Sequence, residues 1–172
     1  MREICVKIRK MRPDETELLR EFLYQAIYLP EGVEPPPRSV LDLPQLRVYI
    51  DGFGTRAGDC CVVAEARTKL VGAAWGRIME DYGHIDDRTP SLAVSVLPEH
   101  RGRGIGTCLL ETLLVCLQEA GYPQVSLSVQ KDNPALHLYL RKGFAILDEQ
   151  GTEFLMLRPL QKGADETGEV WQ

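Results

Sequence analysis

The chain has 172 residues, 44% of them hydrophobic and 26% charged, which suits one globular domain with a full core and requires no second domain. A formal net charge of −5 without a long Lys/Arg run argues against a phosphate-tracking nucleic-acid binder and favours a neutral or cationic partner. Met1-Arg2-Glu3 runs straight into a short apolar alternation, with no signal-peptide core and no apolar span of about 18 residues, so a cytoplasmic protein without a membrane segment is expected.

In chain order, Glu3 to Arg9 alternates Ile4, Val6 and Ile8 with mostly charged neighbours and reads as a half-buried strand. Pro13-Asp14 opens a helix with acids in its first turn, and Leu18, Phe22, Gln25/Ala26 and Leu29 fall on its apolar face. Pro35-Pro36-Pro37 removes three amide donors, so residues 32–38 form a loop or lid. Ser39 to Phe53 has a helical pattern ended by Gly52-Phe53-Gly54. Asp59 to Ala66 and Leu70 to Met79 are strand-like runs joined by Arg67-Thr68-Lys69, which predicts a hairpin. Residues 80–90 are polar and acidic and lead into a strand at Ser91. In that strand Leu92, Val94 and Val96 alternate with Ala93, Ser95 and Leu97 until Pro98 ends the ladder.

A long helix follows, with Ile105, Leu109, Leu113, Cys116 and Ala120 at helical spacing and Gly121 at its C-terminal cap. Gln124 to Val129 reads as a strand, Asn133-Pro134 caps a helix ending at Arg141-Lys142-Gly143, and 144–147 with 152–157 form a closing hairpin. These elements place a single domain over residues 1–160, and the polar, acidic stretch 161–172 reads as a frayed tail. The five cysteines, Cys5, Cys60, Cys61, Cys108 and Cys116, lie in apolar patterns without Cys-x-x-Cys spacing, so they read as reduced core residues and no metal site is expected.

Chemistry is concentrated between that central strand and the long helix, at Arg101-Gly102-Arg103-Gly104-Ile105-Gly106. Alternate glycines leave consecutive N–H groups bare at a helix start, where the dipole and two guanidinium groups favour a diphosphate. The structural alternative is a glycine turn that only packs helix on strand. A Walker A loop starting at Gly102, and a Rossmann fingerprint, would each need glycine at Thr107, so both fail.

The remaining pattern, Arg-x-x-Gly-x-Gly after a strand ending Val-Leu-Pro-Glu, resembles the acetyl-CoA motif of the GCN5-related N-acetyltransferases (GNAT). A second stretch, Asp132 to Phe144, is similar to that family's Asn-x-x-Ala-x-x-Leu-Tyr-x-x-x-Gly-Phe, and the two motifs stand at the family's separation. The resemblance covers roughly residues 3 to 158. It implies the GNAT fold of α/β class, with a mixed, mostly antiparallel central sheet flanked by helices, and acetyl-CoA as co-substrate. It further implies that the main chain of Val94, Ser95 and Val96 pairs with the pantetheine arm. The amides of Gly102, Arg103, Gly104, Ile105, Gly106 and Thr107 would hold the pyrophosphate, with Arg101 and Arg103 adding charge.

Tyr139 matches the family tyrosine that protonates the departing CoA thiolate; its alternative is a core residue of an amphipathic helix. A thiol of pKa about 8.5 is within reach of a phenol of about 10 in a dry site. Asp132 stands where the family more often has Asn, and a carboxylate cannot donate to a pantetheine carbonyl, so Asn133 is the alternative contact. The resemblance implies an oxyanion site at a backbone N–H near Ser95.

The central strand offers Ser91 and Ser95 where family members often carry a Glu base. Carboxylates of the preceding loop, Glu80, Asp81, Asp86 and Asp87, with His84 and His100, are the remaining base candidates. Glu80, Asp86 and Asp87 together form an acidic approach for a cationic acceptor. The implied activity is acetyl transfer to a primary amine of a small molecule or peptide, by direct attack and without a metal. Open alternatives are a CoA-responsive module without turnover, a longer acyl-CoA and a hydroxyl acceptor; a homodimer is also left open.

Overall fold

The computed structural model of the protein describes residues 5–160; the expected tail at 161–172 lies outside the described residues. Seven strands form one sheet in the order β1-β2-β3-β4-β5-β7-β6. They are β1 Val6–Lys10, β2 Cys60–Ala66, β3 Lys69–Arg77, β4 Ser91–Val96, β5 Gln124–Gln130, β6 Ala145–Gln150 and β7 Glu153–Pro159. Every neighbouring pair is antiparallel except β4 and β5, which is the expected mixed sheet. The helices are α1 Leu19–Ala26, α2 Pro44–Arg47, α3 Ile105–Glu119 and α4 Ala135–Arg141.

Two cores follow from the alternation of the strands. On one face α3 buries Ile105, Leu109, Leu110, Leu113, Leu114 and Leu117 against Val62, Ala64, Leu92, Val125 and Leu127, and α4 adds Tyr139. On the other, Leu19, Phe22 and Leu23 of α1 pack with Leu41 and Phe53 against Val63, Ala73 and Trp75. Burying a side chain of this size contributes about 1.5–3 kcal/mol, which is why α1 holds its place although it has only eight residues.

Several expectations are corrected. The first helix begins as a 3-10 turn, Pro13–Leu18, before α1. That changes the phase of its apolar face, so Leu18 is 46% exposed and Leu19 is buried instead. The helix expected over 39–53 is reduced to a 3-10 turn, Arg38–Asp42, and the single turn of α2. Leu43, the residue before Pro44, is extended at φ −64° and ψ 136°, because the proline ring disfavours the helical region for its predecessor. The cysteines are not uniformly core residues: Cys5 and Cys108 are exposed, Cys60 and Cys116 are half-buried, and Cys61 is buried. All five are free, and burial raises the Cys61 thiol well above its usual range.

A buried ion pair fixes the segment that replaces the missing helix. Arg77 and Asp59, 0% and 2% exposed at their side chains, make a bidentate contact with Nε–Oδ1 at 3.0 Å and Nη2–Oδ2 at 2.9 Å. Arg77 Nη1 also donates to the carbonyls of Asp51 (2.8 Å) and Val48 (3.2 Å), while Trp75 Nε1 donates to that of Tyr49 (3.1 Å). Strand β3 thereby holds Tyr49 and its neighbours over the face of the sheet where β4 meets β5.

Candidate active site

Strands β4 and β5 part almost as soon as they meet. They share one pairing, Ser91↔Ser126, whereas β4 follows β3 from Arg77↔Ser91 to Gly72↔Val96. The vertex is locked by hydroxyls: Asp81 accepts from Ser91 Oγ (2.7 Å) and from Tyr49 Oη (2.7 Å), and Ser126 Oγ donates to the Gly83 carbonyl (2.6 Å). Burial first, then the charge of Asp81, raises the Tyr49 phenol well above its usual range, so it remains a donor. Asp81, a candidate base, is therefore spent on holding the 80–90 loop at the vertex.

Beyond the vertex the edge of β4 faces an open wedge. The Leu97 amide bonds to the Val71 carbonyl at 2.8 Å, and antiparallel bonding alternates, so Ser95 and Ala93 exchange their bonds with β3. Val94 and Val96 consequently direct their main-chain groups into the wedge, and Val96 O accepts from Arg101 Nε at 2.8 Å. Near Ser95, the amides left free are those of its neighbours Val94 and Val96, and Ser95 itself is committed to the ladder. The Ser95 hydroxyl is buried with no hydrogen-bond partner.

At the end of β4 the chain reaches the glycine loop. Gly102 and Gly104 take φ +74° and +79°, angles that only glycine adopts without strain, and a Cβ at either would meet nothing within 4 Å. The turn therefore presents an open face. The first helical bond of α3 runs from the Cys108 amide to the Gly104 carbonyl. Among the described residues no backbone bond takes up the amides of residues 102–107, and α3 has no side-chain cap. Six consecutive donors at a helix start can hold a diphosphate. Arg103 is exposed beside them, while the Arg101 guanidinium is turned to the carbonyls of Val96 and Gln25 (3.1 Å), tying α1 to β4.

The wedge holds a cavity of about 370 Å³ whose lining includes Val94, Ser128, Asn133, Tyr139 and Glu153. Tyr139, 8% exposed, packs edge-on against Phe144 with ring centroids 5.7 Å apart. Burial pushes its pKa up to about 12, and among the described residues nothing in the protein bonds its hydroxyl. Asn133 accepts from the Ala135 amide at 2.9 Å and so caps α4, leaving its carboxamide nitrogen as a donor. Asp132 is exposed and contributes its carbonyl, which accepts from Tyr28 Oη at 3.1 Å.

The sequence-predicted acidic approach is not brought together here. Glu80, Asp86 and Asp87 are exposed and none lines the cavity; Asp86 accepts from the Arg88 amide at 2.8 Å, which lowers its pKa. The carboxylate that lines the cavity is Glu153, at the start of β7, accepting from Ser128 Oγ at 2.8 Å. Sequence reasoning missed it, because it reaches the wedge only through the pairing of β5 with β7. A larger hollow of about 620 Å³ at the far end of the sheet, lined by Lys10, Arg12, Cys60 and Cys116 among others, includes neither the glycine loop nor Tyr139.

A split parallel pair in a mixed sheet, with an unpaired amide loop at the head of the crossing helix, defines an acyltransferase of the GNAT fold. Comparison with known proteins agrees. A family model described as the acetyltransferase (GNAT) domain matches residues 57–146. Acetyltransferase plu1384 of Photorhabdus laumondii is 33% identical over 131 residues, 76% of this chain and 79% of that protein. Human N-acetyltransferase 8B is 33% identical over 91 residues, 52% of this chain but 40% of that one. Two solved structures share the fold. PaiA N-acetyltransferase from Thermoplasma acidophilum, in complex with coenzyme A, has a TM-score of 0.66 at 20% identity, covering 90% of this chain and 99% of that one. YncA from Salmonella typhimurium, a putative acetyltransferase with its cofactor acetyl-CoA, has a TM-score of 0.68 at 18% identity, covering 93% and 96%. The chain belongs to the GCN5-related N-acetyltransferase family.

Proposed function

We propose that the protein moves the acetyl group of acetyl-CoA to a primary amine of a small molecule or peptide, by direct attack within a ternary complex. The observation that carries this is two sets of unpaired main-chain donors, the amides of Val94 and Val96 on the wedge edge of β4 and those of residues 102–107, at either end of the segment that joins β4 to α3. The bound coenzyme A and acetyl-CoA of the two structural relatives support the same choice of co-substrate.

The roles of the residues follow from their chemistry. The loop amides would hold the pyrophosphate, with Arg103 adding charge and Arg101 fixing the end of β4. The free groups of Val94 and Val96, with the Asn133 carboxamide, would pair with the pantetheine arm, and one of those amides would receive the oxyanion. Tyr139, buried and with its hydroxyl unpaired, would donate to the leaving sulfur. The roles assigned to these residues use main-chain amides, a carboxamide and a phenol, and none is a metal ligand in this scheme.

Thermal denaturation tests the co-substrate. Coenzyme A at about a hundred times its dissociation constant adds roughly 2.7 kcal/mol to stability, so Tm rises by roughly 5–10 °C for a domain of this size. NAD and ATP should have far smaller effects. Stabilisation by NAD with none by coenzyme A would overturn the proposal.

A further inference from the structure

The wedge has two sides, and the cofactor side is assigned by α3. That helix and α4 lie on the same face of the sheet, so a phosphate chain held at the head of α3 enters beside Val129, Ala135 and Tyr139. The opposite side is left for the acceptor. Its walls are Leu23, Ile27, Val40 and Leu46 with the rings of Tyr49 and Tyr82. Among the described residues that line the cavity there is no Lys, Arg or His, and Glu153 carries the one negative charge. Ser128 occupies Glu153 Oε2, which leaves Oε1 without a protein partner among the described residues.

This arrangement selects by charge count and shape. One ammonium can meet Glu153, but a second ammonium a few carbons away would face aliphatic and aromatic walls, and an unpaired buried charge is strongly disfavoured. The rings of Tyr49 and Tyr82 suit an apolar body that stacks or packs edge-on. The bond from Tyr28 Oη to the Asp132 carbonyl ties the segment after α1, whose Ile27 and Tyr28 line the cavity, to the β5–α4 turn. At about 370 Å³ the cavity is small, toward the low end of the roughly 300–1,000 Å³ typical of ligand sites.

Resting on the acetyl-transfer function above, we propose that the acceptor is a small primary monoamine with an apolar, ring-bearing body, and that Glu153 is the catalytic residue that binds and deprotonates it. The ammonium donates to Glu153 Oε1 and gives up a proton, and the freed lone pair forms the C–N bond at the thioester carbonyl. The C–S bond then breaks and its electrons leave with sulfur. Of the three ammonium protons, one stays on the amide nitrogen, one ends on the sulfur through Tyr139 and one leaves through Glu153 to solvent. Ser128 is a positioning residue, holding the other carboxylate oxygen.

The test measures thiol release from acetyl-CoA with 2-phenylethylamine, spermidine and a lysine-containing peptide, alongside the thermal shift given by coenzyme A. The expected kcat/KM for 2-phenylethylamine is at least tenfold above the other two. Glu153→Gln should lower it at least a hundredfold while the coenzyme A shift is unchanged. Leu46→Glu, which adds a second carboxylate to the apolar wall, should raise the rate with spermidine relative to 2-phenylethylamine. Preference for spermidine or the peptide, a Glu153→Gln enzyme within threefold of the parent, or an unchanged Leu46→Glu ratio overturns the assignment. A coenzyme A shift with no release from any amine defeats the acceptor class alone; no shift and no release defeats the acetyl-transfer function with it.

Discussion

Replacing Tyr139 by Phe removes one oxygen and keeps the ring, so the outcome can be worked from its surroundings. The hydroxyl has no protein hydrogen bond among the described residues, and the ring keeps its edge contact with Phe144. Stability should therefore change by less than about 0.5 kcal/mol, in the range of substitutions that break no named interaction. Burial holds the phenol at about 12, above a free thiol of about 8.5, so complete proton transfer to a free thiolate is uphill. In the proposed role the tyrosine would therefore donate a hydrogen bond to the sulfur as charge develops, its proton being replaced from the product nitrogen as it moves. Hydrogen bonds to charged groups contribute about 1.5–3 kcal/mol, which corresponds to a fall in kcat of roughly 10- to 150-fold, reaching only the lower limit of the range for general acids. Steady-state thiol release, coenzyme A affinity and Tm on the same variant give the answer. Turnover within threefold of the parent, or a Tm lowered by several degrees with turnover intact, would refute the reasoning and make Tyr139 a core residue.

Gly106 allows the cradle to be tested without backbone strain, because its φ is not positive and a Cβ there meets only Val96 Cγ2 at 3.8 Å. Gly106→Ala should fold at least as stably as the parent, alanine being favoured in helices by up to about 1 kcal/mol, yet lose coenzyme A affinity at least tenfold by calorimetry; unchanged affinity would mean that the glycine serves packing alone. Gly104→Val should also lose coenzyme A, but with a Tm lowered by the strain of a β-branched residue at φ +79°. Glu15 predicts an acid-labile contact: Arg9, 2.6 Å away, holds its carboxyl at about 2, below its ordinary 4.5. A lowered folded pKa stabilises above the unfolded value and is lost as pH falls toward the folded one, so the contribution should disappear between about pH 4.5 and 2. Urea denaturation of Glu15→Gln should show its deficit at pH 7 and none near pH 2; an equal deficit at both would deny the ionic origin.

What could be read from the sequence was what is local along the chain. Strand β4, the glycine loop and α3 are contiguous, so a period of two, a proline and alternate glycines were enough to place the open amide loop at the head of the helix. The Asn133 cap and the Tyr139 helix were legible for the same reason. Residues 39–53 misled because their apolar spacing is helical while Pro44 forbids Leu43 the helical region. The acidic loop is local in another way: Glu80, Asp86 and Asp87 cluster in sequence and are exposed, outside the cavity lining. Glu153 and Tyr49 carry no local signal. One is delivered by the β5–β7 ladder, the other by a loop that Arg77 and Trp75 of β3 hold over the sheet. The sheet topology, not the spacing of letters, brings them to the wedge.

Acetyl transfer itself is most directly tested by supplying acetyl-CoA labelled in the acetyl group together with 2-phenylethylamine, and varying both in initial-rate measurements. The label should appear in the amide product in proportion to free thiol, with double-reciprocal lines that intersect, as attack within a ternary complex requires. Label retained on coenzyme A, or accumulating on the protein with parallel lines, would contradict direct transfer across the wedge.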